Sequence, residues 1–108
     1  MFVMQDNPTF NATARGKMPG EDGEDFSFKA RFEALSQSEQ EAFDLSTADG
    51  TIAFLKRTFV GASDVLGADE QPVPFTDATR DWMIDRIHTR GALVKAYFAE
   101  VYGAQLGN

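Results

Sequence analysis

The chain has 108 residues, with ten basic and seventeen acidic side chains and a net charge of −7. One domain of this size can bury a core without disulfides or metals, and the absence of cysteine removes disulfide frameworks, thiolate ligands and thiol nucleophiles. The acidity disfavours phosphate backbones and anionic membranes, which repel such a chain, and there is no apolar run of about 18 residues to span a bilayer.

The first residues, Met1-Phe-Val-Met4, lack a basic n-region and a long apolar stretch, so they do not read as a signal peptide. Phe2 to Met4 offers a short β-strand. Residues 9–18 alternate weakly, with Phe10, Ala12 and Ala14 on one side. Residues 26–33 alternate cleanly: Phe26, Phe28, Ala30 and Phe32 point one way, and Ser27, Lys29, Arg31 and Glu33 the other. Period two with one apolar face marks a half-buried strand. The intervening Met18-Pro-Gly-Glu-Asp-Gly-Glu-Asp25 is a solvated turn, so the two segments predict an antiparallel hairpin.

Ser36-Gln-Ser-Glu39 has the form of a capping box and predicts a short helix to about Leu45, with Phe43 facing inward. Ser46 to Asp49 offers a second N-cap. The helix after it carries Ile52, Leu55 and Phe59 on one stripe and is expected to end at Gly61. Residues 61–75, with two glycines and two prolines, read as a connection. Thr76 caps a third helix with Asp77 in its first turn and Met83, Ile84 and Ile87 as its apolar stripe. Thr89-Arg-Gly91 predicts a break. A fourth helix follows, with Leu93, Val94, Tyr97 and Val101 on one face and Gly103 at its end. The expectation is a single α+β domain: a β-hairpin region over 1–35 and a helical region of about four short helices over 36–108.

Several side chains are candidates for function. His88, the only histidine, has no nucleophile and orienting carboxylate suggested nearby, so it reads as a helix-end or interhelical residue. The acidic Glu21 to Asp25 tip lacks EF-hand spacing and reads as solvated. No glycine-rich phosphate loop, His-Glu-x-x-His or Gly-x-Ser-x-Gly is present. The Phe26, Phe28 and Phe32 face reads as core rather than as a platform for a partner. Lys29 and Arg31 read either as guards of a strand edge or as a receiver for an acidic segment. Trp82 suits a partly buried core position or a contact hot spot. Asp77, Asp81 and Asp85 form one stripe, read as a solvated face.

The order of these features resembles the tail assembly chaperones of long-tailed bacteriophages and prophages. The resemblance rests on Phe26-Ser-Phe-Lys-Ala-Arg-Phe-Glu-Ala-Leu35, on Phe54-Leu-Lys-Arg-Thr-Phe-Val-Gly-Ala-Ser-Asp-Val-Leu-Gly67, on Pro72-Val-Pro-Phe-Thr76 and on Arg90-Gly-Ala-Leu-Val-Lys-Ala-Tyr-Phe98. Relatives often carry a Trp in the turn where this chain has Val60, Gly61 and Ala62. The resemblance implies a non-enzymatic protein without cofactors that binds the tape-measure protein, keeps it soluble and helps recruit tail-tube protein. It implies work in the bacterial host cytoplasm, absence from the finished virion, and in many relatives a frameshifted longer form, with this chain as the short form ending at Gly107-Asn108. The expected contact residues are Trp82, Tyr97 and Phe98 on the helices and Lys29 and Arg31 on the hairpin; a homo-oligomer is compatible with this. Two readings of other classes stand beside it. One is an acidic phage inhibitor or DNA mimic that binds a host enzyme. The other is a small enzyme with a carboxylate pair in a cleft.

Overall fold

A computed structural model describes residues 1–103. The elements run β1 (Thr9–Lys17), β2 (Asp25–Glu33), α1 (Gln37–Gln40), α2 (Ala48–Thr58), β3 (Phe59–Ser63), α3 (Asp77–Asp85) and α4 (Ile87–Gly103). They form an α+β domain with a three-stranded antiparallel sheet of order β1-β2-β3 and four helices. The predicted end at Gly107-Asn108 lies outside the described residues.

The hairpin forms as its alternation predicts. Phe10 opposes Phe32, Ala12 opposes Ala30 and Ala14 opposes Phe28 on one face. The tip closes through Met18 N–H donating to the Glu24 carbonyl at 2.8 Å. Gly20 takes φ 114° there, a conformation that side-chain-bearing residues rarely adopt.

The third strand is β3, not Phe2 to Met4, which carries no regular structure and is exposed. The helix expected to reach Gly61 stops at Thr58, where Phe59 turns to φ −84°, ψ 103°. Thr58, Phe59 and Val60 are β-branched or aromatic, and such residues fit a pleated surface well. Phe59 pairs with Phe32 and Gly61 with Arg31, so Val60 is the extra residue of a bulge. The bulge keeps Phe59 inward, at 1% exposure.

The helices cover one face of this sheet. Helix α4 lies along β1, where Ala12 and Ala14 are small and buried, with buried Ala30 beside Ala12 on β2. Ala92 and Ala96 are the matching small residues on the helix. Small side chains on both partners let a helix approach a sheet closely. Tyr97 is the hub of the core. Its ring centroid lies 5.5 Å from Phe10, 5.5 Å from Phe32 and 5.0 Å from Phe54. Its hydroxyl accepts from the Leu35 N–H at 3.0 Å, so the one polar atom of the cluster is satisfied.

Local signals set the helix starts. The Ser36 capping box is present in both directions, with Glu39 N–H donating to Ser36 Oγ at 3.2 Å and Ser36 N–H donating to Glu39 Oε1 at 3.1 Å. Yet α1 stops at Gln40, not near Leu45. The chain tightens there: the Ala42 and Phe43 amides donate to the Glu39 and Gln40 carbonyls, three residues back. This turn lays Phe43 edge-on against Phe54, 5.9 Å away. Thr47 caps α2 by accepting from the Gly50 amide at 3.0 Å, and Thr76 caps α3 by accepting from the Thr79 amide at 3.2 Å. Buried Thr58 satisfies its hydroxyl on the Phe54 carbonyl at 2.9 Å.

The predicted break at Thr89-Arg-Gly91 is absent. The chain turns instead at Arg86, with φ −86° and ψ 124°, and α4 runs unbroken through Gly91. That turn exposes Ile87, expected in the apolar stripe, to 78%. Arg90 reaches back and donates to the Ile84 carbonyl at 3.4 Å, covering an open carbonyl at the end of α3. Because a Cβ at Gly91 would meet nothing within 4 Å, Gly91→Ala is expected to raise stability by about 0.5–1 kcal/mol. Urea unfolding of the two proteins measures this directly. No gain would mean that the backbone near Gly91 is not the regular helix described.

The segment after Ser63 is a connection, as read, but an ordered one. Val73 N–H donates to the Val65 carbonyl and Gly67 N–H to the Gln71 carbonyl, which folds the loop back on itself. Asp64 and Glu70 take positive φ to make these bends. Among the described residues, no helix is long and apolar enough to cross a membrane.

Candidate functional site

The five residues singled out from sequence fall in three places. Tyr97 is in the core at 1% exposure, so its ring supports the fold rather than a surface contact. Burial raises the pKa of its phenol above the ordinary value, and its hydroxyl stays protonated at neutral pH. Phe98 is half-buried and stacks between Phe54 and Tyr102, at 5.7 and 5.9 Å. Trp82 stands on the surface of α3. Lys29 and Arg31 are exposed on the sheet face that carries no helix.

Trp82 is 57% exposed, more than its core reading allows. Arg86, one turn further on, ends α3. The guanidinium carbon of Arg86 sits over the indole, 4.8 Å from its centroid. This cation–π contact holds the ring upright at the surface. Trp82 therefore forms a wall between two depressions. On one side Ile52, Lys56 and Asp85 line a shallow hollow. On the other is an apolar groove of about 240 Å³.

The groove is built where β2, α3, α4, the hairpin tip and the loop after β3 meet. Phe28 supplies its floor from β2 and Met83 from α3; Met18 comes from the hairpin tip, and Val65 and Leu66 from the loop after β3. Met18, Leu66 and Trp82 are 44%, 59% and 57% exposed, so the rim is a cluster of large apolar side chains open to water. A contiguous apolar patch of this kind marks a contact surface more often than scattered single residues do. His88 closes one end, packed edge-on against Phe26 at 5.8 Å. It is half-buried at the start of α4.

Sequence reasoning found Trp82 but not its companions. Met18 reads as the last residue of a strand, and Val65 and Leu66 sit in a Gly- and Pro-rich loop. The available signal was Val65-Leu66 itself, a pair of apolar residues in a Gly- and Pro-rich loop.

Lys29 and Arg31 do not guard an edge. They lie on β2, the central strand, with β1 and β3 on either side. Lys29 Nζ donates to Thr13 Oγ1 at 3.2 Å. Arg31 Nη1 donates to Asn11 Oδ1 at 3.0 Å, and Arg31 Nη2 donates to Thr9 Oγ1. The ion pairs among the described residues lie elsewhere. Arg57 joins Glu33 at 2.6 Å and Glu39 at 3.6 Å; Arg80 joins Asp77 at 3.6 Å and Asp81 at 3.0 Å. Arg80 thus offsets part of the acidic stripe on α3. The Glu39 carboxyl is held below its ordinary pKa, first by the Ser36 amide and then by the Asn7 side chain, which ties the N-terminal segment to α1. Among the described residues, no three metal-ligating side chains come together.

Comparison with known proteins returned no matching family model, no matching curated protein and no matching solved structure.

Proposed function

We propose that this chain is a tail assembly chaperone of a long-tailed phage or prophage, one that binds the tape-measure protein through apolar contacts and keeps it soluble. The observation that carries the reading is Trp82, a large ring held in solvent at the mouth of an apolar groove. It stands in a chain whose motif order resembles that family. A chaperone must take up apolar segments reversibly and stay soluble while loaded. A single anchoring ring over a shallow groove gives moderate affinity. The net charge of −7 keeps loaded copies apart. In this reading no bond is made or broken, and the tail-tube protein meets the loaded complex.

Coexpression with the tape-measure protein encoded in the same genome tests the reading. The soluble yield of that protein should rise, and the two should elute together from a sizing column. Trp82→Ala is expected to weaken the complex by about 2 kcal/mol or more, roughly thirty-fold in affinity. Its own unfolding midpoint should stay near wild type, because the ring is mostly exposed. Unchanged tape-measure solubility with no shared elution peak would reject the proposal.

A further inference from the structure

We propose that the helix-free face of the sheet binds an acidic, extended segment of a partner protein. The chain has seventeen acidic side chains against ten basic ones, yet the middle of this face gathers cations alone. Between the rungs Lys17–Asp25 and Thr9–Glu33, the paired positions are Arg15–Ser27, Thr13–Lys29 and Asn11–Arg31. On the other side of β2, Lys29 opposes Ser63 and Arg31 opposes Gly61. The charges on these inner rungs are therefore all positive: Arg15, Lys29 and Arg31. Among the described residues none of the three forms an ion pair. The carboxylate at one end of the face, Glu33, is already engaged by Arg57 at 2.6 Å.

Lys29 and Arg31 are held in place rather than floating. Asn11, Thr9 and Thr13 accept their hydrogen bonds across the sheet. Those neutral acceptors orient the side chains without neutralising them. Arg31 spends two of its five N–H donors this way and keeps the rest for a ligand. Ordering before binding lowers the entropy lost on contact. Gly61 adds to the opening: a Cβ there would lie 3.3 Å from the Arg31 Cβ, so a side chain at 61 would crowd the guanidinium stem.

The spacing selects the ligand. Lys29 and Arg31 are two residues apart on one strand, about 6.8 Å along it. An extended segment with carboxylates at alternate positions has the same repeat, so its acids stand over these cations in register. Nucleic acid fits less well. The paired positions of this face carry no aromatic ring on which a base can stack, and the chain as a whole repels phosphate.

The test uses the full chain and a fluorescein-labelled peptide of about twelve residues, alternating Glu and Ser so that acids repeat every ~6.8 Å, read by anisotropy at low salt. The peptide should bind, and the Lys29→Gln/Arg31→Gln double variant should bind about tenfold more weakly. Added salt should weaken the wild-type complex without any substitution, which keeps the test independent of how the variant folds. Lys56→Gln, at an exposed cation on α2, should bind as wild type does. Failure of the peptide to bind, equal binding by the double variant, or tighter binding of a labelled oligothymidylate of equal length would overturn the proposal. No tape-measure protein is present, so this result stands apart from that of the coexpression.

Discussion

Phe54→Ala is expected to cost about 3–5 kcal/mol of folding stability, read as a fall in the urea midpoint with an unchanged slope. Phe54 is fully buried. Its ring meets Phe43 edge-on at 5.9 Å and Tyr97 edge-on at 5.0 Å, and stacks on Phe98 at 5.7 Å. These three partners come from the turn after α1 and from α4, so one ring of α2 ties both to the core. Truncation removes the transfer energy of the ring, leaves a cavity and breaks three aromatic pairs, each worth about 0.5–1.5 kcal/mol beyond area. Domains of this kind are stable by about 5–15 kcal/mol in total, so the loss is a large share. Phe2→Ala is the control. Phe2 is 85% exposed, and its truncation should change stability by no more than about 0.5 kcal/mol. A loss below about 1.5 kcal/mol for Phe54→Ala would show that the ring is not packed as described.

The features read correctly from sequence are those written in a short window. Alternation at 26–33 gave β2 and its buried face, and the capping residues Ser36 and Thr76 gave two helix starts. Each depends on neighbours within about four residues. The misread features depend on distant partners. Phe59 fits the helical stripe of Ile52 and Leu55 by spacing alone. It becomes a strand residue because β2 offers Phe32 as a pairing partner. The turn at Arg86 has no glycine or proline to announce it, while Gly91, which looks like a breaker, lies within α4. The candidate site was legible only at Trp82. Its groove is assembled from the hairpin tip, β2, the loop after β3 and two helices, and no window of sequence spans them. Likewise Lys29 and Arg31 stood out as cations on a strand. Their position at the centre of an open face required β3, which local pattern divides between a helix end and a connection.

Gly50→Ala is expected to destabilise the fold by about 3 kcal/mol, against the usual rule that alanine improves a helix. Gly50 is the third residue of α2, where alanine would ordinarily gain about 1 kcal/mol. Here a Cβ would fall 1.9 Å from the Asp44 carbonyl oxygen and 2.6 Å from its carbon. That carbonyl cannot yield cheaply. It accepts from the Thr47 N–H at 3.2 Å and from Thr47 Oγ1 at 3.0 Å. The Asp44 carboxylate in turn accepts from the Ser46 hydroxyl and amide, which hold its pKa below the ordinary value. The same Thr47 hydroxyl caps α2 through the Gly50 amide. Relief of the clash therefore means moving the Asp44–Thr47 turn or unwinding the first turn of α2, with loss of a cap worth about 1 kcal/mol on top of the overpacking. Amide exchange at the start of α2 should speed up as global stability falls. Gly91→Ala supplies the opposite sign in the same protein, since there the added methyl meets open space. If Gly50→Ala instead raised stability as Gly91→Ala does, the close approach of the Asp44 backbone to α2 would be disproved, and with it the reason this helix begins at Ala48.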